Sequence, residues 1–501
     1  MNQGTDRNAP LAMDAAAFRA LGHRLVDRLA DRLASVPDGP VTRDESPSAV
    51  RAALDLTGPL PEEGSDPAEL LARTTDLLFD HSLFNAHPRF FGYITAPPAP
   101  IGILAEVLAA AVNPNVGAWT LSPAATEIES QTVRWIAELI GYPTDCGGLL
   151  VTGGNMANIV GFLAARAAKA NWDVRTDGVA GGGRRLIAYG SAETHTWFQK
   201  AADLAGIGTA SIRWVPTDAK LRLDVDALRR QYDRDTADGH APFIVVGTAG
   251  SVSTGAVDPL PDIAAFCAER GLWFHVDGAY GGFAAAVPEA PVDLQGLARA
   301  DSVAVDPHKW LYAPLEAGCA LVRDPEKLRA AFAYHPPYYH FEERATNYVD
   351  YGPQNSRGFR ALKVWLALRH AGARGYRQMI AGDIRLSRAL ADAVAREPEL
   401  ELVTQDLSIT TFRYVPADLR SRVGDGPVEA YLDAVNREVL DRLQRGGELF
   451  VSNAVVRDRY VLRACIVNFH TRERDVAALP AIVLKVARGA DAGLRTARPP
   501  V

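Results

Sequence analysis

Cysteine is scarce: the four in 501 residues, Cys146, Cys267, Cys319 and Cys465, stand far apart, and none has a CxxC spacing. That excludes a disulfide framework and a structural zinc ribbon, so no metal is expected, and a reducing cytoplasm suits such thiols. A basic block is also missing. Lys and Arg number 53 against 60 Asp and Glu, a net charge of −7, and Arg184-Arg185 and Arg229-Arg230 are isolated pairs. Without a phosphate-backbone footprint, nucleic acid is not an expected partner. The longest apolar run, residues 101–112, is interrupted by Glu106 and is too short to span a bilayer. The polar N-terminus carries no signal peptide, so no membrane partner is expected.

What remains is ordinary globular composition, 48% hydrophobic and 23% charged, enough for a large core in two or three domains. Residues 14–33 carry Phe18, Leu21, Leu25, Leu29 and Leu33 at helical spacing, with Asp14 as N-cap. This predicts one amphipathic helix whose stripe needs a partner, such as a second subunit. After an aromatic-rich extended piece at 87–95 and a Pro-rich turn at 96–100, strand and helix patterns alternate. Strands are expected at 148–152, 185–189, 211–215, 243–247, 272–276 and 302–305, with helices at 158–169, 224–234 and 262–270 between some of them. Such alternation implies a mostly parallel sheet with ligands beyond the carboxyl ends of its strands. Residues 334–356 are a tyrosine-rich connection too long to be a plain loop. Helices at 359–370, 377–396 and 428–445 and strands at 400–404, 408–414, 449–451 and 460–466 form a smaller α+β domain. The tail after 487 is expected to fray.

The candidate chemistry falls just after those strands. Pro307 ends the strand at 302–305 and delivers His308 and Lys309; a lysine amine there can form a Schiff base with an aldehyde in a dry pocket, or simply be solvated. Thr152-Gly153-Gly154-Asn155 is a glycine turn opening a helix, able to bind an anion or only to turn the chain. Asp277 ends a buried strand, where a carboxylate needs either a cation, such as a protonated pyridine nitrogen, or a turn to cap. His195 follows another strand and could stack on an aromatic ring and move protons. Thr248 offers a hydroxyl at a fifth strand end.

Six ordered motifs, SPAATEIE from Ser122, TGGNMAN from Thr152, AETHTWFQKAA around His195, VGTAGSVSTGAVDPL from Val246, WFHVDGAYGG from Trp273 and DPHKWL from Asp306, resemble those of the group II pyridoxal-dependent decarboxylases. These are the aromatic L-amino acid decarboxylase-like enzymes, and the likeness runs along nearly the whole chain. It implies the α/β type I PLP-dependent transferase fold. An N-terminal helical dimerisation segment would span 1–99, a large PLP-binding domain 100–375 and a small C-terminal domain 376–501. It implies pyridoxal 5'-phosphate as cofactor, held by Lys309 as the Schiff-base lysine. Asp277 would pair the pyridinium nitrogen and His195 would stack on the ring. Gly153, Gly154 and Asn155 would take the phosphate, Asp306 and His308 would adjoin it, and Thr248 and Ala279 would pack on the cofactor. Phe91, Thr95 and Trp119 are the expected substrate-binding positions. Tyr338, in a mobile loop, is the expected acid that protonates the α-carbon, with the adjoining Tyr339 leaving the alignment open by one residue. The chain is thus expected to be a cytoplasmic homodimer with active sites at the subunit interface. It would decarboxylate an aromatic or bulkier L-amino acid to the amine and CO₂. The alternative is an oxygen-dependent, aldehyde-forming decarboxylase-deaminase. Three departures stand out: Asn155 for a hydroxyl residue, Asp306 for asparagine, and Gly117-Ala118-Trp119 where aromatic-specific relatives place a phenylalanine, which predicts a roomier pocket.

Overall fold

Apolar runs in the centre of the chain become strands buried on both faces, as a parallel sheet covered by helices requires. The computed structural model describes residues 9–54, 58–336 and 345–497. The larger sheet contains β1 (Gly147–Val151), β2 (Leu186–Ser191), β3 (Ile212–Val215), β4 (Ala241–Thr248), β5 (Trp273–Asp277), β6 (Ser302–Val305) and β7 (Gly318–Val322). Their order is β1-β7-β6-β5-β4-β2-β3. Neighbours are parallel except at β7, which is antiparallel to both β1 and β6. Every residue of β1, β2, β5, β6 and β7 is buried. A second, antiparallel sheet holds β8 (Leu400–Asp406), β9 (Ile409–Tyr414), β10 (Ser452–Val456) and β11 (Arg459–Cys465) in the order β10-β11-β9-β8. The expected α/β architecture, a mostly parallel sheet followed by a small α+β unit, is therefore present.

Several local expectations need correction. β7 is absent from the sequence reading, because its short apolar run returns from a loop rather than from a crossover helix. The strand expected at 449–451 lies instead at β10, where burial alternates residue by residue, and Phe450 makes only an isolated bridge to Phe90. The tail does not fray at 487: the helix Glu473–Ala497 continues, fastened by Arg495 to Asp418 at 2.8 Å and to Asp491 at 2.9 Å. The two helices expected at 359–370 and 377–396 occupy Ala361–Ala395, with the break at Gly372, whose φ of 66° suits a residue without a side chain.

The N-terminal helix, Ala15–Ser35, starts where expected, with the Asp14 carboxylate accepting from the N–H groups of Ala16 and Ala17. None of its residues is buried, and Phe18 and Val26 face outward. Arg28 reaches Asp76 and the Ala72 carbonyl on the helix Pro67–Asp80. The helix Pro100–Val112 likewise leaves Leu104, Val107, Leu108 and Val112 exposed.

Inside the large domain one ion pair fastens three separate pieces of chain. Arg357 is buried and donates to Glu129 on the helix Pro123–Leu139, to the Leu150 carbonyl of β1 at 2.7 Å and to the Val116 carbonyl at 2.8 Å. Glu129 also accepts the Leu150 N–H at 2.8 Å. Removing the carboxylate strands a buried guanidinium, a change that typically costs about 3–5 kcal/mol. Glu129→Ala should therefore lose about that much unfolding free energy in urea titrations, where a loss no larger than the ~1 kcal/mol of an exposed pair would contradict the account.

Candidate active site

Parallel pairing brings the carboxyl ends of β4, β5 and β6 level: Thr248 is opposite Asp277, and Asp277 opposite Ala304. The turns beyond these ends, together with those after β1 and β2, enclose a cavity of about 480 Å³. A wider hollow of about 680 Å³ lies beside Trp172 and Tyr334, but its Arg175 is already committed to the carbonyls of Ala330 and Ala333.

After β6 the chain turns into the short helix Pro307–Trp310. Lys309 Nζ lies 3.0 Å from Asp306 Oδ2, and His308 Nε2 lies 3.7 Å from the same oxygen. Among the described residues Asp306 Oδ1 has no hydrogen-bond partner, although it is buried. His308 Nδ1 sits 2.7 Å from the Ala317 carbonyl, and burial pushes the ring's pKa down. After β1, Gly153 turns the chain at φ 96° and caps the helix Gly154–Lys169, whose first-turn N–H groups have no intrahelical acceptor. The backbone runs close here, since a Cβ on Gly154 would stand 2.6 Å from Asp306 Oδ2.

Asp277, at the end of β5, accepts hydrogen bonds from Trp197 Nε1 at 2.6 Å and from the Ala279 N–H at 3.1 Å. Trp197 also ties down the histidine: its backbone N–H donates to His195 Nδ1 at 3.2 Å, leaving the imidazole proton on Nε2. Burial lowers the pKa of His195 and favours the neutral ring. Beneath this layer His275 is buried with its pKa pushed down to about 4. Asn158 Oδ1 can only accept, so it takes the His275 Nε2–H and leaves Nδ1 of the neutral ring to accept the Ser302 hydroxyl proton, each at 2.7 Å, while Trp273 Nε1 donates to Ser302 Oγ at 2.8 Å. These four side chains form one hydrogen-bonded chain that ties β5 and β6 to the helix Gly154–Lys169.

Of the sequence-predicted residues, Lys309, Asp277, His195, Thr248, Asn155, Gly154, Ala279, Asp306 and His308 line the one cavity, and Gly153 sets the turn beneath it. Phe91, Thr95 and Trp119 do not line it. Phe91 is buried in the small-domain core, its N–H bonded to the Phe450 carbonyl. Thr95 is half-buried, and Trp119 Nε1 donates to Glu127 at 2.9 Å. Tyr93 and Ile94 reach the cavity instead. Gly117 opens no extra room in this chain, because a side chain there would meet the Asn355 carbonyl at 2.2 Å. Tyr338 and Tyr339 lie outside the described residues. The sequence reading missed Arg463 of β11, which lines the cavity from the small domain. Nη1 donates to the Tyr93 carbonyl and Ser452 Oγ, both at 3.1 Å, while Nε and Nη2 are buried without partners among the described residues. Its signal was an arginine inside an otherwise apolar strand.

The model of the pyridoxal-dependent decarboxylase conserved domain matches residues 50–415. This chain belongs to the pyridoxal-dependent decarboxylase family. It is 32% identical over 471 residues to an aromatic-L-amino-acid decarboxylase of Bacillus atrophaeus, covering 93% of this chain and 94% of that one. It is 28% identical to a phenylacetaldehyde synthase of a Rosa hybrid cultivar, covering 93% and 92%. The Oryza sativa TDC solved with PLP and tryptamine superposes with a TM-score of 0.88 at 29% identity, covering 96% of this chain and 99% of that one. The chain is accordingly a PLP-dependent amino-acid decarboxylase, and its residues fit the cofactor. Among the described residues, Thr248 Oγ1 and Asp306 Oδ1 are buried and unmatched in the cavity wall, and the first helical residues Gly154 and Asn155 line the same cavity with N–H groups that can take an anion.

Gly154→Ala tests that close approach of the helix end to Asp306. Its Cβ must displace Asp306 or Ala279, and overpacking of this kind costs about 1–3 kcal/mol, so affinity for added PLP should fall roughly tenfold or more in fluorescence titration. Gly64→Ala, with nothing within 4 Å of its Cβ, is the control and should bind as wild type.

Proposed function

We propose that this decarboxylase converts an aromatic or bulkier L-amino acid to its amine and CO₂. The observation that carries the reading is that Lys309, Asp277 and a glycine-opened helix N-terminus face one cavity. The named relatives act on aromatic amino acids or form an aromatic aldehyde, which supports the substrate class. When bound, pyridoxal phosphate supplies the electron sink for the pair released as CO₂ departs. Lys309 is the amine that would hold the cofactor aldehyde, steered by Asp306. Asp277, its carboxylate oriented by Trp197 and Ala279, would keep a ring nitrogen protonated. The N–H groups at Gly154 and Asn155 would take the phosphate, and neutral His195 would stack on the ring. Arg463 offers its unmatched Nε and Nη2 to the substrate carboxylate, because a buried guanidinium favours a bidentate anion. Tyr338, or His195 through Nε2–H, returns the proton to the α-carbon.

The working unit in this reading is a homodimer. The uncovered apolar stripes of Ala15–Ser35 and Pro100–Val112 support it, since a monomer rarely leaves such faces in water. The four cysteines are free, which suits the cytoplasm. Among the described residues no helix is long and apolar enough to cross a membrane.

Holoenzyme incubated with a panel of aromatic and bulky L-amino acids, in air and without oxygen, should release amine equal to CO₂ in both atmospheres. Ammonia and peroxide appearing only in air would assign the aldehyde-forming reaction instead. Lys309→Ala should abolish turnover while remaining folded and dimeric by sedimentation, and an active variant would defeat the assignment. Tyr338→Phe should divert product toward aldehyde; an unchanged amine yield would exclude that tyrosine as the acid.

A further inference from the structure

Asp383 belongs to none of the six motifs and does not line the cavity, yet it is bonded directly to the turn that carries Lys309. It sits on the helix Ala361–Ala395 at 3% exposure. Its Oδ2 accepts from Trp310 Nε1 at 2.9 Å and from the Tyr312 hydroxyl at 2.8 Å, and the backbone N–H of Asn468 donates to the same carboxyl. Trp310 adjoins Lys309 and stacks on Tyr280 with ring centroids 5.0 Å apart. Tyr280 lines the cavity and accepts the Ser408 N–H of the small domain at 3.0 Å. Tyr312 donates its N–H to the Lys309 carbonyl at 3.2 Å and holds a left-handed φ of 54°, a strain that persists only where surrounding contacts fix it.

A neutral acceptor would suffice to satisfy an indole and a phenol. A carboxylate here has three donors and, among the described residues, no cation beside it. The titratable groups that face it, Tyr312 from the lysine turn and Cys465 from the end of β11, are themselves pushed to higher pKa by burial, as is Tyr376, which stacks on Tyr312. All three are neutral near pH 7. Burial favours the acid and the donors favour the anion, and the balance leaves Asp383 pushed up to about 7. A carboxylate accepts hydrogen bonds about twice as strongly as a neutral acid, so its grip on the turn changes when it titrates.

We propose that Asp383 is a positioning residue that, when ionised, holds Trp310 and Tyr312 so that the Lys309 amine stays at its working position, and that loosens this hold when protonated. The inference rests on reading Lys309 as the lysine that holds the cofactor.

The test uses PLP-loaded enzyme, following the visible absorbance between about pH 5 and 9 and the rate of cofactor release. Wild type should show a spectral component with its midpoint near 7. Asp383→Asn should abolish that component and speed release roughly tenfold, as expected for weakening two hydrogen bonds to a charged acceptor. Tyr312→Phe removes one donor to the anion, so the midpoint should move up by about one unit, and this shift decides the matter if Asp383→Asn does not fold. Asn436→Ala, which breaks buried bonds to the backbone of Tyr414 within the small domain, should lower the melting temperature but leave spectrum and release unchanged. An unaltered titration in both Asp383→Asn and Tyr312→Phe, or an equal effect of Asn436→Ala, overturns the inference. A visible band that survives unchanged in Lys309→Ala would instead defeat the assignment of the lysine, and the inference with it.

Discussion

The hydrogen-bond register between β4, β5 and β6 is the constraint on which the site depends. Because Thr248, Asp277 and Ala304 are level, the residues that follow each strand emerge at one edge. A slip of one residue in either ladder would turn Asp277 toward the opposite face of the sheet. The strands are buried on both faces, so the register is enforced by packing across the whole sheet rather than by any contact at the site.

The polar groups behind that edge explain how so much chemistry is tolerated in an apolar interior. An unmatched buried group costs about 1–3 kcal/mol, and Trp273, Ser302, His275 and Asn158 avoid much of that cost by linking into one hydrogen-bonded chain. Trp197 extends the order outward, with one donor for His195 and another for Asp277. In front of this layer, among the described residues, Thr248, Asp306 and Arg463 carry buried atoms without partners in the cavity wall, where a ligand would meet them. Rigidity behind and unsatisfied groups ahead define a preorganised site.

Much of this was legible in the sequence because strand ends leave local marks. Pro307 after a β-branched run, Gly153-Gly154 before a helix and Asp277 closing an apolar segment each signal their place without tertiary information. What escaped depends on distant partners. Nothing near Phe91 announces that its N–H will bond Phe450, which draws the side chain into the small-domain core and leaves Tyr93 and Ile94 at the cavity. Arg463 and Asp383 are assigned by which domain packs against the lysine turn, a matter no local pattern records. β7 escaped for a different reason, since it breaks the alternation by which the other strands were found.

The antiparallel insertion of β7 has a further consequence for assembly. Among the described residues β1 is an edge strand paired with β7 alone, and Val151 lies opposite Gly318. The intervening chain includes five other strands of the same sheet, so this pairing closes its longest loop, the kind of non-local contact that forms slowly. The glycine turn after β1 cannot reach Asp306 until that closure is made. The anion-accepting turn thus depends on a pairing made across the whole central sheet rather than on β1 and its helix alone.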